Sequence, residues 1–494
     1  MIFDDGSVSG TVNSAYAHNV LDGQNGSGLN ACDATPANPA GSLDNPACLN
    51  DQFKGTNSGN GTYFSDTDSW GVALTADWMM SDSLTFKSIT AYRDLDAHFT
   101  YDTDMTSIAM NDRIEDILKQ DQSSQEFQLL GSSDRLDWIL GLYYFREQGE
   151  NINPVSLYLG AGGPTNIQSG GDFENSSKAV FGQATTHVTD KLDVTIGLRW
   201  TEDTKAFTPD QFITNFDAPQ PWPVFFRLVP LQEYEETFDD VTPMLNLAYH
   251  VNDQLMTYAT YSEGFKSGGF TQRLAGPFPA LPSFDPETVK SYELGFKYSS
   301  EDGDITLNMA AFYMEYEDIQ ITVFLGIAPT LDNAGTATVQ GGELELKWLL
   351  ADSWLLEAAA GYTDAGYDDV DPTTSLTGDE DFARTPEWTL SASLTREIEL
   401  GNNGSLVPRV DWSYRSRTEF GAENEPGEYQ DGYSLVNASL AWNSPQEIFG
   451  VVFGIRNLAD KDFNYTYGSQ STFGPITYIP DRGREWYVMG RYYF

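Results

Sequence analysis

The feature that most constrains this chain is a two-residue alternation of apolar and polar side chains, interrupted at intervals by connections of two kinds. In WGVALTADWMMSDSLTFKSITAYR (70–93), Trp70, Val72, Leu74, Ala76 and Trp78 share one face of an extended segment. After a polar turn at Ser81 and Asp82, Leu84 and Phe86 carry the apolar side onward, with Lys87 and Arg93 opposite. A period of two belongs to a β-strand with unlike faces, and two such runs about a short turn make an antiparallel hairpin. The device recurs at about 120–148, 174–204, 237–265, 287–317, 337–363, 386–416 and 431–460, and a lone strand ends the chain. The pattern predicts roughly seventeen strands.

The connections sort by length. Turns of a few polar residues lie within each hairpin, while long segments rich in Gly, Pro, Asp and Asn lie between hairpins, as at 149–172, 205–236, 266–285, 364–384 and 462–483. One end of the sheet is therefore trimmed and the other elaborate, which is how transmembrane barrels are built. Side chains agree: Val194, Ile196, Leu198 and Trp200 alternate with Asp193, Thr195, Gly197 and Arg199, and Leu344, Leu346 and Trp348 with Glu343, Glu345 and Lys347. A soluble sandwich also alternates, but with shorter strands and loops that do not sort by length. No run approaches the roughly 18 apolar residues of a membrane helix. The fold class expected is all-β, a transmembrane antiparallel β-barrel.

Composition excludes other functions. With 27 Lys+Arg against 73 Asp+Glu, a net charge of -46, the surface repels phosphate backbones, so nucleic acid is not expected as a partner. The four histidines, His18, His98, His187 and His250, are scattered, with no metal-ligand spacing and no nucleophile motif. No enzyme, cofactor or metal centre is expected; His187 and His250 read as interfacial polar residues at turn-side strand ends. The acidic run YDDVDPTTSLTGDEDF (367–382) lacks the EF-hand spacing and reads as a solvated loop, with calcium as the competing use. Cys32 and Cys48 lie in a Gly/Asn/Pro-rich stretch. They read as a disulfide closing a long loop in an oxidising compartment, or else as two thiols in a reducing one. The loop QPWPVFFRLVP (220–230) sets Trp222, Phe225 and Phe226 among prolines beside Arg227. With Arg273 on the next long connection, these are the candidate ligand-binding residues, the alternative being packing against neighbouring loops.

The segments at the strand ends resemble a known family. TIGLRWTEDTK (195–205), YATYSEGFKSGGF (258–270), VKSYELGFK (289–297), NAGTATVQGGELEL (333–346), RTPEWTLSASL (384–394) and FGIRNLADKDFNYTYG (453–468) are similar, in order, to recurring boxes of the C-terminal barrel of TonB-dependent outer-membrane receptors. The resemblance covers the chain from about residue 68 onward. It implies an outer-membrane location in a Gram-negative bacterium and active import of a scarce ligand, a ferric siderophore above all, with carbohydrate or another non-iron ligand as the variant. It also implies lipid and lipopolysaccharide around the barrel, the TonB–ExbB–ExbD energy-coupling complex, and the barrel-assembly machinery. The C-terminal run REWYVMGRYYF (484–494), with Trp486, Tyr492 and Phe494 on one face, is similar to that machinery's recognition signal, and Phe494 is expected to face lipid on the closing strand. Arg199 and Arg456 project to the polar lumen, either in salt bridges or against plug or ligand.

Such a receptor is a barrel of about 22 strands filled by an N-terminal plug. Relative to that pattern about five strands and the plug domain are expected to be absent, with 1–66 holding part of an early strand and a long extracellular loop, and 67–494 the barrel. An odd strand count, and a start MIFDDGSVSG with neither a basic nor an apolar signal region, make a fragment or mis-started reading frame the expectation. Competing readings are a passive porin-like channel and a surface structural or adhesive barrel.

Overall fold

The computed structural model describes residues 64–101, 113–157, 165–274, 276–325, 328–351, 353–372, 374–468, 477–481 and 483–492. Cys32, Cys48, His18, Phe494 and nearly all of 1–66 lie outside these residues. Seventeen long strands form one antiparallel sheet, each beside its sequence neighbour. They are β1 (Phe64–Ser81), β2 (Leu84–Tyr101), β3 (Arg113–Ser133), β4 (Leu136–Leu157), β5 (Thr165–Thr189), β6 (Leu192–Pro209), β7 (Tyr234–His250), β8 (Leu255–Lys266) and β9 (Glu287–Ser299). There follow β10 (Ile305–Glu317), β11 (Gly335–Ala351), β12 (Trp354–Val370), β13 (Trp388–Arg396), β14 (Ser405–Arg415), β15 (Tyr433–Asn443), β16 (Phe449–Arg456) and β17 (Glu485–Tyr492). Among the described residues no ladder joins β1 to β17, and the only helical element is a single 3₁₀ turn, Gly401–Asn403.

The register shows why alternation yields two unlike surfaces. Phe127, Leu142, Val180, Trp200 and Val241 stand opposite one another across β3 to β7, and one residue along the row becomes Glu126, Tyr143, Ala179, Thr201 and Asp240. Residues directly paired share a face, so the first row is the outer apolar belt and the second the inner polar wall. Leu142 and Val180 remain 54% and 51% exposed, as lipid-facing groups do in a chain taken alone. Rings thicken the belt: Tyr261, Tyr292 and Tyr313 run across β8 to β10 with centroids 5.1 and 6.4 Å apart. At the last strand Trp486 meets Phe453 at 5.5 Å and Tyr492 meets Phe449 at 5.0 Å, on the outer face that the sequence assigned them.

One connection differs from expectation. The stretch 149–172 is mostly strand, because β4 and β5 stay paired as far as Leu157↔Thr165, leaving only 158–164 between them. A buried polar knot holds this arm: Asn153 donates to Glu115 O at 2.7 Å and Ser169 Oγ donates to Asn153 O at 2.9 Å. Gly170 permits the pairing, since at φ 99° a Cβ there would sit 2.0 Å from Asn151 O. Glycine, asparagine and proline mimic a loop in sequence, yet here they let two strands pair closely.

Candidate functional site

The long connections fold over one end of the sheet and carry the candidate ligand residues. In 210–233, Phe212–Thr214 adds to the top of β5, and Phe226–Arg227 adds to it in turn. The register puts Phe226, Ile213 and Ile167 on one side of this small sheet and Arg227, Phe212 and Gln168 on the other. Arg227 is thus turned away from Phe226; its Nη1 donates to Asp210 Oδ1 at 2.7 Å and its guanidinium lies 5.6 Å from the Phe212 ring centre. Trp222 is half-buried against Phe216, centroids 4.6 Å apart, while Phe225 and Phe226 are 63% and 50% exposed.

Beneath them the connection is anchored. Phe207, Val229, Leu274 and Leu281 form a buried cluster joining β6, 210–233 and 267–286, with Phe173, Tyr234 and Phe270 packed against it. Gln211 is fully buried and donates to Gln272 O at 2.7 Å. Arg273 reaches Asp116 on β3, Nη2 to Oδ2 3.4 Å, so it too is committed to a carboxylate. The five candidates therefore do not converge: two exposed rings stand clear, Trp222 is partly packed, and both arginines are paired.

On the inner wall, Arg199 donates from Nε to Thr201 Oγ1 at 2.9 Å and lies 5.4 Å from the Phe181 ring centre and 5.7 Å from that of Tyr143. Arg456 sits 3.7 Å from Glu485 and 5.3 Å from the Tyr487 ring centre. Sequence reasoning did not single out Arg409, which binds Asp411 at 2.7 Å and Glu357 at 3.1 Å on the same wall. Its alternation was visible, but Glu357 is 52 positions away.

A second anchored unit joins 371–387 to 416–432. Ile319, Ala334, Ala337 and Leu376 form its apolar core, with Phe382 and Ala422 against it. Asp381 N donates to Asn424 Oδ1 at 2.7 Å, Asn424 Nδ2 returns a bond to Asp381 O at 2.9 Å, and Arg384 N donates to Glu419 O at 2.8 Å. Within the acidic run, Glu380 accepts from Thr377 N at 2.9 Å and Gly378 N at 2.8 Å, which holds its carboxyl below the usual range although partial burial opposes this. Its oxygens are spent on its own loop. Among the described residues no group of three or more His, Cys, Asp or Glu is placed to hold a metal.

Glu428 is the anomaly of this unit. It is 3% exposed and its Oε1 has no hydrogen-bond partner among the described residues. Burial, then the neighbouring Glu425, Glu423 and Glu419, push its carboxyl from the ordinary 4.5 up to about 8. The folded loop thus holds this proton more tightly than the unfolded chain does. Its contribution to stability is complete below pH 4.5 and is lost as pH rises through about 8. Hydrogen exchange at the Phe420 amide, which donates to Glu428 O at 2.8 Å, is expected to lose protection over that window. Glu428→Gln is expected to remove the pH dependence; an unchanged profile in the variant contradicts the assignment.

The model of the family "TonB dependent receptor-like, beta-barrel" matches residues 7–458. The chain belongs to the TonB-dependent receptor β-barrel family. Among curated relatives of this TonB-dependent receptor barrel, the pesticin receptor of Yersinia enterocolitica is 25% identical over 403 residues, 81% of this chain and 54% of the relative. Among solved structures, the ferric yersiniabactin uptake receptor FyuA of Yersinia pestis superposes with TM-score 0.74 at 20% identity, over 89% of this chain and 63% of that one. The ferric-catecholate import receptor Fiu of E. coli gives 0.69 at 13% identity, over 98% and 70%. This TonB-dependent receptor barrel spans about half the length of the pesticin receptors it matches. All three of these relatives are receptors.

Proposed function

We propose that the protein is the ligand-import receptor of a Gram-negative outer membrane, taking up a scarce complex, a ferric siderophore or similar metal chelate, by binding followed by energised release. The observation that carries this is the family match over most of the chain, joined to a sheet whose outer face is an apolar belt and whose inner face is polar. No bond is made or broken in this mechanism; ligand affinity differs between two states of the receptor and energy input selects between them. The TonB–ExbB–ExbD complex supplies that input through a plug. Lipid, lipopolysaccharide and the barrel-assembly machinery are its other partners.

Within this reading Phe225 and Phe226 offer a stacking surface for ligand at the long-connection end. Each ring is worth about 0.5–1.5 kcal/mol, so the double alanine variant is expected to weaken uptake affinity about tenfold while maximal uptake and surface abundance hold. Unchanged affinity removes the two rings from the ligand site. The reading itself is tested by deleting the gene and screening growth and uptake on siderophores, cobalamin and oligosaccharides, with and without collapse of the proton gradient. Saturable, gradient-dependent uptake lost in the deletion is expected. Linear uptake indifferent to the gradient identifies a passive channel instead.

A further inference from the structure

Four titratable side chains from four consecutive strands meet on the inner face beside the short turns. His187 near the end of β5 places Nδ1 2.6 Å from Asp193 Oδ1 on β6 and Nε2 3.1 Å from Asp137 Oδ2 on β4. His250 at the end of β7 places Nε2 3.0 Å from the other oxygen of Asp193. Ser132 Oγ donates to Asp137 Oδ1 at 2.5 Å, fixing that carboxylate from a fifth position. The register puts Asp193 opposite His187 and Ala248, on the face of Thr195 and Arg199, so the chain of contacts borders the inner mouth. His187, Asp193 and His250 line an open recess of about 490 Å³.

An ionised carboxylate can only accept hydrogen bonds, so each imidazole nitrogen that faces one must carry a proton. His187 faces carboxylates with both nitrogens, and both contacts are satisfied together only in the doubly protonated, cationic ring. The charges around it favour that form: Arg135 and Lys191 stand against Asp134, Asp190 and Asp253 as well as the two bridging aspartates, and Lys191 Nζ is occupied by Val251 O at 2.9 Å. When the ring loses one proton, one of its two contacts turns a lone pair toward a carboxylate and is lost.

We propose that Asp137, His187, Asp193 and His250 form a proton-dependent clasp that ties three successive hairpins together at the inner short-turn mouth, closed when His187 is cationic and loosened when it is neutral. The same turns are joined by main-chain bonds that report on it: His187 N donates to Arg135 O at 3.0 Å and His250 N donates to Lys191 O at 2.7 Å. A matched control exists in Leu349 N, which donates to Asp304 O at 2.7 Å between two histidine-free turns.

The experiment is amide hydrogen exchange on the full chain in a membrane mimetic between pH 5 and 8, corrected for intrinsic rates. Protection of the His187 and His250 amides is expected to fall about tenfold more than that of Leu349, the scale of one charge-assisted hydrogen bond. His187→Gln keeps a donor but cannot titrate, and is expected to abolish the excess step. Asp137→Asn, which preserves shape, is expected to shrink it and serves if the first variant does not insert. No excess step in the unaltered chain, or the full step in either variant, overturns the clasp.

Discussion

Replacing Ile196 by arginine is expected to destabilise the folded, membrane-inserted chain by about 2–4 kcal/mol, whereas the same charge at Gln183 costs little. Ile196 lies in the middle of the outer apolar row of β6, 60% exposed, opposite Ala184 and Leu245. Gln183 is paired with Gly197 on the inner face, where water can hydrate a guanidinium. Denaturant titration of the two variants in lipid vesicles reads the difference. Equal costs at the two positions refute the assignment of outer and inner faces, and with it the membrane-spanning reading of the sheet.

The second large effect lies in the cap. Phe207 is 3% exposed and packs with Val229, Leu274 and Leu281 beneath two long connections. Phe207→Ala removes a buried ring and leaves a cavity, a loss of about 3–5 kcal/mol locally. Limited proteolysis is expected to cut within 210–233 and 267–286 in this variant while the strands below stay protected, because the β6 ladders, which pair Phe207 with Phe173 and Tyr234, are main-chain bonds that continue down to Leu192 whatever the side chain at 207. Phe225→Ala, at an exposed ring, is the contrast and is expected to leave the cleavage pattern unchanged. A cap as resistant in Phe207→Ala as in the parent chain shows that the connections are held by something other than this core.

How much of this was legible depended on distance along the chain. Every short turn from Asp82 to Ser444 and the face of every alternating run could be read, because both are local: a period of two and a polar break suffice. Trp486 and Tyr492 fall on the outer face for the same reason. The arm at 149–172 could not be read, since Gly170 and Asn153 carry loop composition into a paired segment. Nor could the partners of Arg273, 157 positions from Asp116, or of His187, 50 positions from Asp137. Such pairs depend on which strands become neighbours and at what height, and single-sequence pattern holds no record of that. Arg227 lies in the connection read as a loop, but a one-residue step in a two-residue strand turns it away from Phe226.

The joining of 371–387 to 416–432 has a practical meaning for anyone who would redirect or block this surface. Asn424 and Asp381 exchange two bonds across the two segments, so neither keeps its shape when excised. A graft of one onto another scaffold, or an antiserum raised against its linear peptide, addresses a form the native surface does not present; recognition requires the two transplanted or immunised as a couple.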